Sequence, residues 1–303
     1  THTEITCDLH EALQVIPLLP TIYDEPFADS SAIPTYLVAK HAVNSVKVAL
    51  SADGGDELFA GYNRHLYYSR IPNAVRYLPS WAGSSVANSI GAIGLTGLKA
   101  QRVQKFARLL SDFSVESYMH AMTTSMSNDQ LNKLINQRNI PENLPFFQGR
   151  SPQATMLLND SVNYLPNDIL QKVDRATMAV GLEGREPFLD HELYEFLAQV
   201  HDHYKCDGKD TKILLKYIAH DLLPSTLMQG PKKGFAIPIS SWMREYLKSE
   251  LFDFIEPRFL KEQGIFKATE LEREVKSFLN GNDTNSLFIW YYFSFQSWYK
   301  QWM

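Results

Sequence analysis

Three carboxylates crowd one turn of the chain. In SVKVALSADGGDELFAGY, Ser45 to Tyr62, an aliphatic run empties into a glycine pair bracketed by Asp53, Asp56 and Glu57. A strand, a glycine turn and a helix form the arrangement by which α/β folds bind phosphate, because backbone N–H groups face the ligand. The acidic side chains oppose that use: a phosphate beside one of them is repelled by about 4 kcal/mol at 4 Å and an effective dielectric of 20. A divalent cation resolves the conflict, since Mg²⁺ takes one or two carboxylates together with phosphate oxygens of a substrate. A second reading is structural, with Asp53 as an N-cap and Asp56 and Glu57 in a first turn where the helix dipole favours them. Spacing alone leaves both open. It does exclude an EF-hand, whose D-x-D-x-D-G order is missing, and the chain has neither GxxxxGK(S/T) nor GxGxxG.

Two further segments carry charge in suggestive places. LPNDILQKVDRATMAVGLEGREPFLDHEL, Leu165 to Leu193, sets Lys172, Asp174 and Arg175 among the apolar positions of a helix, then Glu183, Arg185 and Glu186 ahead of the helix-stopping Pro187. Structural ion pairs and active-site charges are both compatible with it. QGPKKGFAIPISSW, Gln229 to Trp242, has the prolines, glycines and adjacent Lys232 and Lys233 of a lid that swings a cation over a polyphosphate, or of a plain surface loop. In LKAQRVQKFARLL, Lys99, Arg102, Lys105 and Arg108 recur three apart and read as a solvated helix face.

These residues need elements to hold them. VKVAL, Val46 to Leu50, is short, aliphatic and bounded by turn residues, which predicts a buried parallel strand. TEITC alternates like a short strand, and DLHEALQVIPLL places Leu9, Leu13, Ile16 and Leu19 at helical spacing. SSAIPTYLVAKHAV predicts a helix capped by Ser30 or Ser31, with Tyr36, Leu37, Ala39 and Val43 as its core stripe. Beyond Tyr62 there is no strand signal and the pattern is mostly helical. The tail SLFIWYYFSFQSWYKQW, apolar nearly all round, is expected to be a buried helix.

Composition removes several function classes. With 303 residues, 45% of them apolar, the chain can bury a large core. Its 29 basic and 34 acidic residues leave a net charge of -5 and no broad cationic surface, so neither nucleic acid nor a membrane is an expected partner. Cys7 and Cys206 make no disulfide framework and lack metal-ligand spacing, which points to a reducing, cytoplasmic setting. No apolar run approaches the roughly 18 residues of a membrane span.

In order along the chain, THTEI, DEPFADSSAIPTY, LSADGGDELFAGY, the Leu165 to Leu193 segment, PKKGFAIPISSW and the tryptophan-rich tail resemble the synthetase domain of the glutamine-hydrolysing asparagine synthetase B family. That family also includes β-lactam-forming relatives. Six ordered matches across nearly all of the chain are far more specific than any one of them. The resemblance implies an ATP pyrophosphatase fold of the α/β class, predominantly helical. Residues 1–75 would carry part of a doubly wound parallel sheet, and 76–303 a helical region completing the domain. It implies MgATP-dependent adenylation of a substrate carboxylate, aspartate in the parent activity, with pyrophosphate release. Attack by ammonia from a glutaminase domain would follow. Carried over by position, Asp56 would ligate Mg²⁺ on the ATP pyrophosphate, with Ser51, Gly54, Gly55 and Arg185 around the nucleotide. Asp53 would serve the acceptor side. Glu183, in the Glu-x-Arg ahead of Pro-Phe-Leu-Asp, would act near the reacting groups. Lys232 would steady phosphate charge and the adenylate, Ser30 and Ser31 would line the acceptor pocket, and Glu57 would be a supporting, helix-start residue.

Two departures accompany the resemblance. Ala52 stands where the family usually has glycine, and the family's S-G-G-x-D-S loop and glutaminase domain are not in this sequence. Both would lie upstream of Thr1. The chain is therefore expected to be the C-terminal portion of a larger synthetase, inactive in isolation. A related amide ligase with another acceptor (β-lactam-type closure or amidation of a sugar acid) and a non-catalytic synthetase-like module are the alternatives. The sequence is silent on oligomeric state and leaves room for a homodimer.

Overall fold

The aliphatic run does form a parallel strand, and its partner comes from far along the chain. In the computed structural model β1 (Val48–Leu50) pairs with β2 (Glu183–Arg185), Val48 opposite Glu183, Ala49 opposite Gly184 and Leu50 opposite Arg185. The ladder continues at both ends, where Glu183 N–H donates to Lys47 O at 3.0 Å and Ser51 N–H donates to Arg185 O at 2.9 Å. The structure describes residues 8–72, 113–126, 128–136, 145–224 and 237–303, with isolated positions in the stretches between. The Lys99 to Arg108 stripe, the lysine-rich loop with Lys232 and Lys233, and alternate residues of TEITC lie outside the described residues.

Two strand expectations are corrected. β2 lies in the stretch where no strand signal was read: Glu-Gly-Arg has no β-branched or aromatic residue, and pairing to β1 overrides its weak propensity. The aliphatic strand is also not buried, with Val46, Val48 and Leu50 at 44%, 44% and 72% exposure. A parallel strand is buried when neighbours flank it and helices cover both faces. Among the described residues the sheet has two strands, so β1 keeps an open edge.

The first predicted helix is cut into pieces by its prolines. α1 (Leu9–Val15) is capped by Asp8, whose carboxylate accepts from Glu11 N–H at 2.8 Å. A 3₁₀ turn over Ile16–Leu18 and α2 (Leu19–Ile22) follow, each with proline in its first turn, where a missing N–H costs nothing. Ile16 and Leu19 are buried as expected, while Ala12 and Val15 take the core places that the spacing had given to Leu9 and Leu13. α3 (Ala32–Ala42) begins after Ser31, but the Ser31 side chain makes no capping bond. Leu37 and Ala39 of its predicted stripe are buried, and Tyr36 and Val43 are half-buried.

The chain then runs through α4 (Gly55–Leu58), α5 (Asn63–Arg70), α6 (Val115–Thr123), α7 (Asn128–Leu134) and α8 (Pro152–Asn159). A π-helical stretch, Asp160–Leu170, joins α8 to α9 (Gln171–Met178). Pro166 sits inside it: a ring without an N–H breaks the α ladder, and the wider turn accommodates the break. α10 (His191–Gln199) and α11 (Ile213–Leu222) pack near Leu58 and Phe59.

The main core is built by the two ends of the sequence. α12 (Ile239–Glu245), α13 (Lys248–Phe254), α14 (Pro257–Gln263), α15 (Ala268–Leu279) and α16 (Ser286–Trp302) enclose Ile33, Leu37, Met243, Leu251, Val275 and Trp290 with the first three helices. α16 is the expected aromatic helix, buried at Phe288, Ile289, Trp290, Tyr292 and Phe293, although Leu287, Tyr291 and Trp302 remain exposed. Three of its indole N–H groups reach one segment: Trp290 donates to Ala28 O at 2.8 Å, Trp298 to Asp24 O at 2.8 Å and Trp302 to Pro20 O at 2.7 Å. The segment so clamped leads directly into Asp29, Ser30 and Ser31. Among the described residues no helix is long and apolar enough to cross a membrane.

The clamp gives a stability contrast. Trp290 is 1% exposed, so Trp290→Phe leaves a gap in the core and strips the part-buried Ala28 carbonyl of its donor, which should cost about 1–3 kcal/mol. Trp302 is 50% exposed, and Trp302→Phe should change stability by about 0.5 kcal/mol or less. Urea denaturation of the two variants side by side reads the difference.

Candidate functional site

At the end of β1 the backbone turns through Gly54, which has φ +87° and is itself the N-cap of α4. The capped-helix reading of Asp53 is thereby corrected: a left-handed cap suits glycine. A Cβ there would also lie 2.3 Å from Leu189 Cδ2. Asp53 instead accepts from the Ser51 hydroxyl at 2.7 Å. Ser51 is held by its backbone bond to Arg185, so the carboxylate is anchored to the sheet end.

Asp56 and Glu57, neighbours in the first turn of α4, have different surroundings. Glu57 is 1% exposed and accepts the Tyr62 hydroxyl at 2.5 Å. Burial pushes its carboxyl above the usual range, and burial with the Glu57 charge pushes the Tyr62 phenol up as well. Arg64 lies over the Tyr62 ring at 4.0 Å and binds the buried Asp160, with Nη2 to Oδ1 at 2.9 Å. Glu57 is thus committed to packing. Asp56 stays partly exposed and meets the Lys212 ammonium, Nζ to Oδ1, at 2.7 Å. Gly61 makes room for that pair, since a Cβ on it would lie 1.8 Å from Asp56 Oδ1 and 2.2 Å from Lys212 Cε. Lys212 itself is a non-glycine residue at φ +54°, a conformation costing about 1–2 kcal/mol. Its N–H donates to Phe59 O at 3.1 Å, which fastens the start of α11 to the turn after the acidic loop.

Glu183 and Arg185 are placed on one face of β2, level with Val48 and Leu50. Their side chains bind each other, Arg185 Nη2 to Glu183 Oε1 at 2.8 Å, and both are more than half exposed. Their tie to the acidic loop runs through backbone. Glu186, which the sequence left without a role, lies close enough to Asp53 to feel it: burial first, then the Asp53 and Asp174 charges, push its carboxyl up.

Ser30 and Ser31 belong to a second cluster. Ser30 accepts Ile33 N–H through its carbonyl at 3.3 Å, in the turn that opens α3. Asp29 accepts from Ser31 N–H at 2.9 Å and from the Ser31 hydroxyl at 2.6 Å. Lys172 Nζ donates to Asp29 Oδ2 at 2.7 Å and to Ser31 Oγ at 2.8 Å. Burial works to raise the Asp29 carboxyl, but the Lys172 charge and the hydrogen bonds from Lys172 and Ser31 outweigh it and hold the group below the usual carboxylate range. Asp168 nearby is pushed up by burial and by Asp29, and burial with the Asp168 charge raises the Tyr164 phenol. Tyr62 and Tyr164, with ring centroids 5.5 Å apart, join the two clusters into one wall.

The donor set bears on metal binding. Among the described residues no three His, Cys, Asp or Glu side chains converge, so protein groups there build no cage. One partly exposed carboxylate with glycines around it fits Mg²⁺, which completes its shell with water and substrate phosphates. Sequence reasoning gave no role to Lys212, Tyr62 or Asp29 in these clusters, while Lys172, left open there between a structural ion pair and an active-site charge, makes an ion pair with Asp29. Gly61 was the available signal for Lys212: it sits outside the glycine pair, its φ is not positive, and a missing side chain there has to serve packing.

A parallel sheet end carrying an acidic glycine loop, with helices completing the wall, is the place where α/β folds commonly bind ligands. The chain matches the asparagine synthase family over residues 1–300 and belongs to that family. It is 27% identical over 260 residues to asparagine synthetase (glutamine-hydrolyzing) 1 of Bacillus subtilis, covering 81% of this chain and 39% of that protein. It is 30% identical over 245 residues to a protein of Mycobacterium tuberculosis H37Rv named "Putative asparagine synthetase (glutamine-hydrolyzing)", covering 77% and 36%. The chain therefore spans under two fifths of the length of these curated relatives.

Two variants test the geometry. Gly61→Ala forces the Asp56 and Lys212 side chains apart and should cost about 1–3 kcal/mol in a denaturant melt. Lys172→Met leaves Asp29 without its cation and should cost about 2–3 kcal/mol at neutral pH, below the fully buried case because Asp29 is partly exposed. Because the folded Asp29 pKa is depressed, its stabilisation is full above the unfolded carboxylate range and fades as pH falls through the lower folded value. The Lys172→Met penalty should accordingly shrink in acid.

Proposed function

We propose that this chain is the C-terminal portion of an ATP-dependent amide-forming synthetase that adenylates a substrate carboxylate, aspartate in the parent activity, and then transfers it to glutamine-derived ammonia. The observation that carries the reading is the split between neighbours in α4: Glu57 is sealed against Tyr62, whereas Asp56 remains within reach of solvent beside glycines. Family membership supplies the reaction class, and the names of the relatives supply asparagine as product and glutamine as the hydrolysed substrate, which makes aspartate the acid to test first.

In this reading Asp56 would hold Mg²⁺, which when bound offsets charge on the pyrophosphate as it leaves. An oxygen of the acceptor carboxylate attacks the ATP α-phosphorus and pyrophosphate departs. Ammonia then attacks the acyl carbon, and AMP leaves with that oxygen. Asp53, fixed by Ser51, faces the acceptor side, with Glu183 near the reacting groups at the adjoining sheet end and Arg185, paired to it, on the nucleotide side. Ser51, Gly54 and Gly55 line the nucleotide side. Ser31, its hydroxyl oriented by Asp29 and Lys172, lines the acceptor pocket with Ser30. Lys232, from the lysine-rich loop, steadies phosphate and adenylate charge. The open edge of β1 is where further strands of a doubly wound sheet would pair, brought by an upstream portion that also carries the S-G-G-x-D-S loop and the glutaminase. The isolated chain is then inactive. The buried free thiol of Cys206 suits a reducing cytoplasm.

The test is pyrophosphate release by the full-length protein from MgATP with a panel of carboxylates. Aspartate should give the fastest release, and Asp56→Asn and Lys232→Ala should each lower it by about 100-fold or more. Near-normal turnover in either variant overturns the site assignment. Preference for another acid moves the acceptor, and no release with any acid favours a non-catalytic module.

A further inference from the structure

Lys212 has no part in the reaction as set out above, yet the chain goes to some length to place it. Its ammonium rests on Asp56 Oδ1 at 2.7 Å, in space that a Cβ on Gly61 would fill, and a Cβ on Gly55 would lie 3.9 Å from its Nζ. Its backbone adopts a left-handed conformation that glycine would take more cheaply, and its N–H is tied to Phe59 O. Lys216, one turn further along α11, pairs with Asp210 and does not compete for Asp56. A side chain held at both backbone and ammonium, in a pocket cleared for it, is specified by position.

We propose that Lys212 is a positioning residue that guards the metal position of Asp56, keeping a bare divalent cation off and admitting the cation as its nucleotide complex. The proposal rests on the reading of Asp56 as the metal ligand. The reason is charge. With Lys212 in contact, the pair is neutral, and a bare divalent ion arriving at Asp56 must displace an ammonium and then lie beside it. A nucleotide complex brings phosphate oxygens that accept the displaced ammonium, so the same charge that repels the bare ion attracts the complex. Lysine suits the task because its charge is compact and its stem flexible, able to leave Asp56 without moving the anchored backbone.

Binding of Mn²⁺ alone and of MnATP to the full-length protein, followed by electron paramagnetic resonance of free Mn²⁺, tests it. Lys212→Met should bind bare Mn²⁺ about tenfold more tightly and MnATP about tenfold more weakly, opposite shifts that a loss of structure does not produce. Lys212→Gln, which keeps a polar end, should shift both in the same directions, and Lys212→Arg, which keeps the charge, should stay within about twofold of the parent on bare Mn²⁺. If Asp56→Asn abolishes Mn²⁺ binding while Lys212→Met and Lys212→Gln leave the bare-ion affinity unchanged or weaker, the guarding role is overturned and the metal reading stands. If Asp56→Asn leaves Mn²⁺ binding intact, the metal reading itself falls.

Discussion

Everything at the sheet end depends on three residues of β1 lying parallel to three of β2. Parallel strands cannot be joined by a tight turn, so their pairing requires a long excursion of chain and fixes where both ends of that excursion arrive. Here the ladder runs on through Ser51 N–H to Arg185 O, and it brings the acidic loop and the segment around Glu186, Phe188 and Leu189 together. Phe188 and Leu189 then pack on Gly54 and Gly55, so the loop that carries Asp53 and Asp56 is supported from behind by the chain that follows β2. A short ladder with weak intrinsic propensity on one side is enough because packing at its exit holds the register.

The polar wall shows a division of labour that charge counting would miss. Acidic groups line it from Asp56 to Asp29, yet they differ in what surrounds them. Burial favours the neutral form of Glu57 and outweighs the Tyr62 hydroxyl that donates to it, while Lys172 and Ser31 hold Asp29 as an anion despite burial. Asp53 takes a single hydroxyl and Asp56 an ammonium. Carboxylates set so differently leave anions fixed at some points of the wall and a sealed, less acidic carboxyl behind it, a divergence of neighbouring acids set by environment alone.

What the sequence made legible were features that announce themselves locally. The aromatic tail, the helix after Ser31 and the aliphatic strand each carry a pattern readable within about a dozen residues, and each formed. β2 was illegible because Glu-Gly-Arg becomes a strand only against β1. The cap of α4 was misread because aspartate is by type the better N-cap, whereas the turn needs φ +87° and hence Gly54. Lys212 and Asp29 were missed for a third reason: each has its meaning in a partner that sits elsewhere in the sequence, Asp56 for one and Lys172 for the other. Family resemblance pointed to this stretch of wall, and the geometry shows which of its carboxylates are buried, ion-paired or exposed.

The indole clamp also orders events in the life of the molecule. Trp290 and its acceptor Ala28 stand 262 positions apart, and the other two pairs are separated by 274 and 282. During synthesis at roughly 5–20 residues per second, the segment before Asp29 waits for α16 to leave the ribosome before these bonds can form. The Asp29 and Ser31 side of the wall is therefore among the last parts to be assembled. A nascent chain interrupted before α16 would keep the Asp29 segment without its clamp, so the backbone leading into the Asp29 and Lys172 pair is fixed only once α16 has formed.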